Sequence, residues 1–322
     1  MIRFDNFNYV YLFILFIFSI SISYFSILLG RKLNIIDNPS LEKIHSNPIP
    51  RSGGFGIFLT FLLGILFFHT SLNIYESIFL ILIFLLGFID DLRSVPQRIK
   101  FITEIGLAIL LGVITSWRFS GIFLLDILFF AFYLVGSINA MNEIDGMDGL
   151  AGGVALISSL FLTHWFKDMP IIVAIACLGF LIWNFHPAKI FMGDGGSLFL
   201  GAFIGITSLK ILSSNLSLST LIALIFIYSV PVYDSFLTVI RRLYSRTSIF
   251  KPDLGHFYNK LYDITGNYIG TVMIIYIFAI VLGLTGLYLY KISSVLAVLI
   301  GGSIWGILTY LGYRLGFITS SK

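Results

Sequence analysis

The sequence predicts an all-α, polytopic membrane protein, and three observations predict it. Hydrophobic residues make up 58% of the 322 and charged residues only 11%, whereas soluble domains carry about 25% charged residues. Apolar runs long enough to cross a bilayer recur about eleven times, so 10–11 transmembrane helices are expected. Lysine and arginine crowd into alternate segments between those runs, the bias that orients membrane proteins. A mean hydropathy of +0.99 makes the lipid bilayer the partner of most of the surface.

Taken in order, helices are expected near 8–29, 53–69, 74–89, 101–116, 122–138, 150–166, 170–186, 197–213, 217–240, 269–290 and 292–313. The first run exceeds a signal-peptide core, lacks a small-residue cleavage site and continues into Arg31 and Lys32, so a retained helix is expected. With the N-terminus outside, fifteen of the twenty Lys and Arg residues fall in inner segments; only Arg3, Arg118, Lys167, Lys210 and Lys291 stay outside. That three-to-one bias puts the chemistry on the cytoplasmic face. It also accounts for the net charge of +4, so no nucleic-acid partner is expected. The single cysteine, Cys177, excludes an intrachain disulfide and a cysteine zinc cluster, and reads as a small core residue. The longest polar segments, 30–52 and 241–268, are too short for cores of their own. A single integral-membrane domain over residues 1–322 is therefore expected.

The polar stretch Asn139–Gly153, NAMNEIDGMDGLAGG, interrupts two apolar runs with Glu143, Asp145 and Asp148 and with no basic residue between them. An uncompensated Asp at the centre of a membrane helix costs roughly 2.5–3.5 kcal/mol, and less towards the interface. A cation, a donor-rich ligand or basic residues from another loop must offset that cost; the plain alternative is an acidic loop left in water. Similar clusters recur on the same side. The segment LEKIHSNPIPRSGGFG offers Lys43, His45 and Arg51 to anions such as phosphates, or is an ordinary basic inner loop. In FIDDLRSVPQRIKF, Asp90 and Asp91 are adjacent; they suit a general base or a Mg²⁺ site, or are neutralised by Arg93, Arg98 and Lys100. Glu104, one turn further on, is expected as a half-buried partner of that basic set. In NFHPAKIFMGDGGSLFLG, Asp194 precedes an apolar helix whose glycine-rich start is a natural anion site. Asp194 itself can hold a divalent cation, or it or Ser197 can cap the helix; His186 reads as a structural residue. The basic, aromatic segment 241–263 contains Lys251 and His256 and suits anionic headgroups or a phosphate ligand. Carboxylates scattered over several loops of one face suit Mg²⁺ bound together with a polyphosphate.

FIDDLRSVP, NEIDGMDGLAGG and FMGDGGSLFLG, in this order, resemble the polyprenyl-phosphate N-acetylhexosamine-1-phosphate transferase superfamily. The resemblance runs from PIPRSGG to HFYNK and is nearest to members that start O-antigen. It implies transfer of an N-acetylhexosamine-1-phosphate from a UDP-sugar to undecaprenyl phosphate, with release of UMP, in a bacterial inner membrane. It further implies Mg²⁺, with Mn²⁺ able to substitute, at Asn142 and Asp194. Asp148 would hydrogen-bond uracil and Phe191 would stack on it, while Lys100 would meet the pyrophosphate. Asp90 and Asp91 would serve the lipid-phosphate nucleophile and His256 the catalysis. Asp145, Lys43, His45, Arg51 and Lys251 would complete the substrate site, and a homodimer is compatible with it. Many members carry two or three histidines where this chain has His256, Phe257, Tyr258 and Asn259; that departure favours a 6-deoxy donor such as UDP-QuiNAc or UDP-FucNAc over UDP-GlcNAc. The competing class is a secondary transporter with acidic cation-binding loops. Transporters bind near the midplane within related repeats, whereas these acids, Glu104 apart, sit at helix mouths and no repeat is evident.

Overall fold

A computed structural model describes residues 9–39, 47–68, 70–115, 117–245 and 255–318. It is all-α apart from one short antiparallel pair. The helices are α1 (Tyr9–Lys32), α2 (Gly53–Phe67), α3 (Ile74–Leu92), α4 (Gln97–Thr115), α5 (Phe123–Glu143), α6 (Leu150–Leu162), α7 (Met169–Asn184), α8 (Gly193–Ser214), α9 (Leu218–Ile227), α10 (Ser229–Ser245), α11 (Phe257–Thr265), α12 (Tyr268–Tyr290) and α13 (Ser294–Arg314). Strand β1 (Ile36–Asp37) pairs with β2 (Ile49–Pro50). Every expected apolar run contains a helix. Among the described residues, α1, α5, α8, α12 and α13 are long and apolar enough to cross a membrane. The apolar helices α2, α6 and α7 are shorter, at 15, 13 and 16 residues.

Two features depart from the expected pattern. The run expected over 217–240 is broken into α9 and α10, bent by 90°. Pro231 lies in the first turn of α10; it lacks an N–H and its ring opposes the carbonyl four residues back, at Ile227, the last residue of α9. The second departure is α11, inside a segment read as a loop. It buries Phe257 and Tyr258 and stops at Gly266, whose φ of +62° is the left-handed terminator that glycine adopts without strain.

The chain groups into two compact units, residues 1–206 and 207–322. In the first, the N-terminal part of α8 is the buried centre: Leu198, Phe199, Leu200, Ala202 and Phe203 are all fully buried. Phe61 of α2 packs on Phe199 and Phe203, with ring centroids 5.1 and 5.8 Å apart. Other helices approach α8 where a side chain would not fit. A Cβ on Gly54 would lie 2.1 Å from the backbone nitrogen of Gly196, and one on Gly87 would lie 2.3 Å from the carbonyl oxygen of Asp194. On α8 itself, a Cβ on Gly201 would meet the Ile138 backbone of α5 at 2.7 Å. These contacts bring the polar ends of α2, α3 and α5 to the start of α8. The segment before α8 is fastened to the same place through Phe191 N–H to the Pro50 carbonyl (2.8 Å) and Gly53 N–H to the Phe191 carbonyl (2.9 Å).

The second unit is built on α9, α12 and α13, with Phe226, Leu282, Leu289 and Ala297 at its core. The Tyr233 hydroxyl of α10 donates to the Leu308 carbonyl at 2.8 Å, and Arg241 donates to the Phe317 carbonyl at 3.1 Å.

The glycine contacts make a stability prediction. Gly54→Ala forces backbone apart and is expected to destabilise the fold by about 1–3 kcal/mol or more. Gly136→Ala, with nothing within 4 Å of the added carbon, is expected to leave the melting temperature unchanged or slightly raised. Thermal unfolding of the two variants in one detergent checks this; equal melting temperatures would contradict it.

Candidate active site

The first turn of α8 offers backbone N–H groups without intrahelical partners. Asp91, in the last turn of α3, takes them: its Oδ1 accepts from Asp194 N–H and its Oδ2 from Gly195 N–H, both at 2.9 Å. The anion expected at this helix start is thus a side chain of the protein. The cap is neither Asp194 nor Ser197; the Ser197 hydroxyl instead donates to Oδ1 of Asn142 at 2.7 Å. The Asp91 side chain is 2% exposed and its Oδ1 is also 3.1 Å from Nη2 of Arg51. The same Arg51 nitrogen lies 3.8 Å from Oδ1 of Asp194.

Asp90 points a different way. Its Oδ2 is 3.1 Å from the Lys100 ammonium and its Oδ1 accepts from Val95 N–H at 2.5 Å. The Lys100 ammonium also contacts Oδ2 of Asp194, so one cation bridges two carboxylates from different helices. Lys100 is reached by the first turn of α4, one loop after α3, which explains why the DD and K of one motif meet.

Asn142 ends α5, and Asp145 and Asp148 follow in the turn before α6. Asp145 is half-buried. Desolvation and the carboxylates of Asp194 and Asp91, joined by Asp148 and opposed by Arg51, push its carboxyl up to about 7. Desolvation opposes the charge on Arg51, but Asp91 and Asp194 more than offset it and raise its pKa. Asp148 accepts from the Ala188 N–H at 3.0 Å and its Oδ2 is 2.8 Å from Nδ1 of His186. Phe191 is half-buried in the segment joined to Pro50 and Gly53.

The structure therefore brings Arg51, Asp90, Asp91, Lys100, Asn142, Asp145 and Asp194 into one charged network. Asp148 joins it through its effect on Asp145, and Phe191 lies three residues before Asp194. Lys43, His45 and Lys251 lie outside the described residues. His256 belongs to the second unit, where its Nδ1 is 2.6 Å from Oδ2 of Asp234. Glu104 was expected as a half-buried partner of Arg93, Arg98 and Lys100; the Lys100 charge does act on it, but not from a half-buried position. It is fully buried, one oxygen accepts from the Asn139 amide at 2.6 Å, and the other has no hydrogen-bond partner. Its place on the inward face of α4 keeps it from the exposed arginines.

Asn184, not foreseen from sequence, is a further tie. Its Oδ1 accepts from Gly149 N–H at 3.0 Å and its amide donates to the Ile190 carbonyl at 2.9 Å. It thereby holds the acidic turn against the segment leading to α8; its place at an apolar helix end gave only a faint signal.

Chemically, the network holds five carboxylates, Asp90, Asp91, Asp145, Asp148 and Asp194, against the two fixed cations Arg51 and Lys100. Among the described residues no three His, Cys, Asp or Glu side chains form a ready-made metal cage. The donors nevertheless fit Mg²⁺, which takes one or two carboxylates and leaves its other positions to water or phosphate oxygens. The Lys100 ammonium between Asp90 and Asp194 already marks a cation position, and Asn142 adds a neutral oxygen.

The sequence also matches known proteins. Residues 73–212 match the model of glycosyl transferase family 4. The chain is 33% identical over 282 residues to a probable undecaprenyl-phosphate N-acetylglucosaminyl 1-phosphate transferase of Bacillus subtilis (strain 168), covering 80% of this chain and 78% of that protein. It is 32% identical over 272 residues to the undecaprenyl-phosphate alpha-N-acetylglucosaminyl 1-phosphate transferase of Thermotoga maritima, covering 83% and 87%. It is also 31% identical over 292 residues to a phospho-N-acetylmuramoyl-pentapeptide-transferase of Prochlorococcus marinus, covering 74% and 79%.

The capping bonds separate the two neighbouring aspartates. Asp91→Ala removes a helix cap worth about 1 kcal/mol and leaves Arg51 without its nearest carboxylate. It is expected to lower the melting temperature clearly, while Asp90→Asn, whose carbonyl can still accept from Val95, is expected to change it little. Thermal unfolding checks the difference; the reverse order would contradict the assigned cap.

Proposed function

The chain belongs to glycosyl transferase family 4, and we propose that it transfers N-acetylglucosamine-1-phosphate from UDP-GlcNAc to undecaprenyl phosphate and releases UMP. The observation that carries the reading is the Lys100 ammonium bridging Asp90 and Asp194 beside Arg51, at a helix start overloaded with carboxylates. Such a place suits a dianionic pyrophosphate brought in with a divalent cation.

In the reaction an oxygen of the lipid phosphate forms a bond to the β-phosphorus of the UDP-sugar. The bond from that phosphorus to the oxygen bridging the α-phosphate breaks, and UMP leaves with the bonding electrons. The product is undecaprenyl-diphosphate-sugar. Asp194 and Asn142 would hold Mg²⁺, which when bound supplies charge neutralisation on the pyrophosphate. Lys100 and Arg51 do the same from the protein side, so positioning and electrostatics provide most of the rate enhancement.

A phosphate monoester has a second pKa near 6, so at neutral pH the lipid nucleophile is largely deprotonated. Asp90 then aligns it and accepts any remaining proton. Asp91, with both oxygens committed to α8 and Arg51, is better described as positioning Asp194. Asp148 and Phe191 are proposed for the uracil, Asp145 for the substrate side of the network, and His256 for catalysis. Tyr258 is 4% exposed with its ring stacked on His256, so it gives little support to a 6-deoxy preference; UDP-GlcNAc is the donor proposed. The site is placed on the cytoplasmic face, with the N-terminus outside, on the Lys and Arg bias.

Purified protein with undecaprenyl phosphate is expected to release UMP from UDP-GlcNAc at least as fast as from UDP-QuiNAc or UDP-FucNAc. Excess chelator is expected to stop release, and Mg²⁺ or Mn²⁺ to restore it. Full turnover in chelator would refute the cation role, and no lipid product from any UDP-sugar would refute the activity.

A further inference from the structure

Glu104 is a fully buried acid that the reaction as described does not use. It stands in the second turn of α4, four residues after Lys100. Its Oε2 accepts from the Asn139 side-chain amide of α5 at 2.6 Å, and the same amide donates to the Val135 carbonyl at 2.9 Å. The carboxyl group is therefore held in one orientation, and its Oε1 has no hydrogen-bond partner among the described residues. The charges that act on it are those of Lys100 and Asp194, so it lies on the side of α4 that meets the charged network. Tying α4 to α5 needs only one oxygen, which a glutamine would supply without burying an acid. An orphaned oxygen, fixed beside a cation that has somewhere else to be, points to a second position for that cation.

We propose that Glu104 is a positioning residue that receives the Lys100 ammonium when a divalent cation takes Asp194. The proposal rests on the cation site of the transferase reading. An ammonium has three donors, and Lys100 now directs two of them to Asp90 and Asp194. Lys100 thus occupies Oδ2 of Asp194, and an ammonium and a divalent cation cannot share that oxygen without strong repulsion. Side chains four residues apart on a helix are neighbours, with Cβ atoms about 5–6 Å apart. Lys100 can therefore swing to Oε1 of Glu104 without any movement of α4, and Asp90 need not let go. After the exchange Asp90 and Glu104 hold two donors, and the third is left for a phosphate oxygen. The ammonium stays aimed within the site instead of being driven to solvent, and the orphaned oxygen gains a charge-assisted bond.

Mn²⁺ binding to the full chain in detergent, without nucleotide or lipid, tests this through the loss of the free-ion electron paramagnetic resonance signal. Lys100→Met removes the competing ammonium and is expected to bind Mn²⁺ about tenfold more tightly than the wild type. Glu104→Gln keeps the bond to Asn139 and is expected to bind Mn²⁺ about tenfold more weakly, because Lys100 loses its second position. In the Lys100→Met background the same Glu104→Gln change is expected to weaken binding less than about threefold, since no ammonium remains to be moved. Equal weakening in both backgrounds would overturn the proposal and leave Glu104 a fixed charge or a tie between α4 and α5. Lys100→Met binding Mn²⁺ no more tightly than the wild type would overturn it as well, and that result needs no folded Glu104→Gln. If the wild type binds no Mn²⁺ even with UDP-GlcNAc, the cation site fails and the proposal with it. If it binds Mn²⁺ but releases no UMP, the transferase reading alone fails, and the four affinities still decide the role of Glu104.

Discussion

Asp91 sets its carboxylate on the backbone N–H groups of Asp194 and Gly195, and the polar architecture of the first unit is arranged from those two bonds. They fix the end of α3 to the start of α8. Because Gly87 lets the two backbones approach so closely, the carboxylate reaches both donors at once. A carboxylate at a helix N-terminus gains from the capping bonds and from the helix dipole, each worth about 1 kcal/mol. Arg51, fastened through the β2 segment, joins the same carboxylate from the other side. With α3, α8 and the 50–54 segment locked together, Asp90, Lys100 and Asp194 have little freedom to be elsewhere.

That rigidity is used to hold charges that would otherwise separate. Five carboxylates face two fixed cations, and the shortage shows in Asp145, whose carboxyl is pushed up to about 7 by burial and by its acidic neighbours. A divalent cation together with a pyrophosphate would add positive charge next to the acids and negative charge next to Arg51 and Lys100. Substrate and metal would then complete the network rather than disturb it. This is the expected behaviour of a site that works by preorganised electrostatics.

Much of this was legible in the sequence, for identifiable reasons. Helix positions follow from apolar run length, which the bilayer enforces, and the acidic motifs stood out because carboxylates are conspicuous against apolar runs. The division of labour between Asp90 and Asp91 was not legible: neighbours on a helix point about 100° apart, and only the partner helix decides which one meets N–H groups. The depth of Glu104 was not legible for a related reason, since charge composition alone cannot tell which face of α4 turns inward. The α9–α10 bend had a signal in Pro231 that the uninterrupted hydropathy concealed. Asp234 was passed over because a lone acid in a long apolar run has no local partner; the one it finds, His256, is 22 residues away.

The central claim is that the carboxylates gathered at the start of α8 form a cation site completed by the donor pyrophosphate. Electron paramagnetic resonance of Mn²⁺ tests it without requiring turnover. Added to the wild-type protein with UDP-GlcNAc, Mn²⁺ should lose its free six-line signal as it binds, and far less so without the nucleotide sugar. Asp194→Asn should leave the free signal almost unchanged in both conditions. Binding by Asp194→Asn as tight as by the wild type would contradict the account.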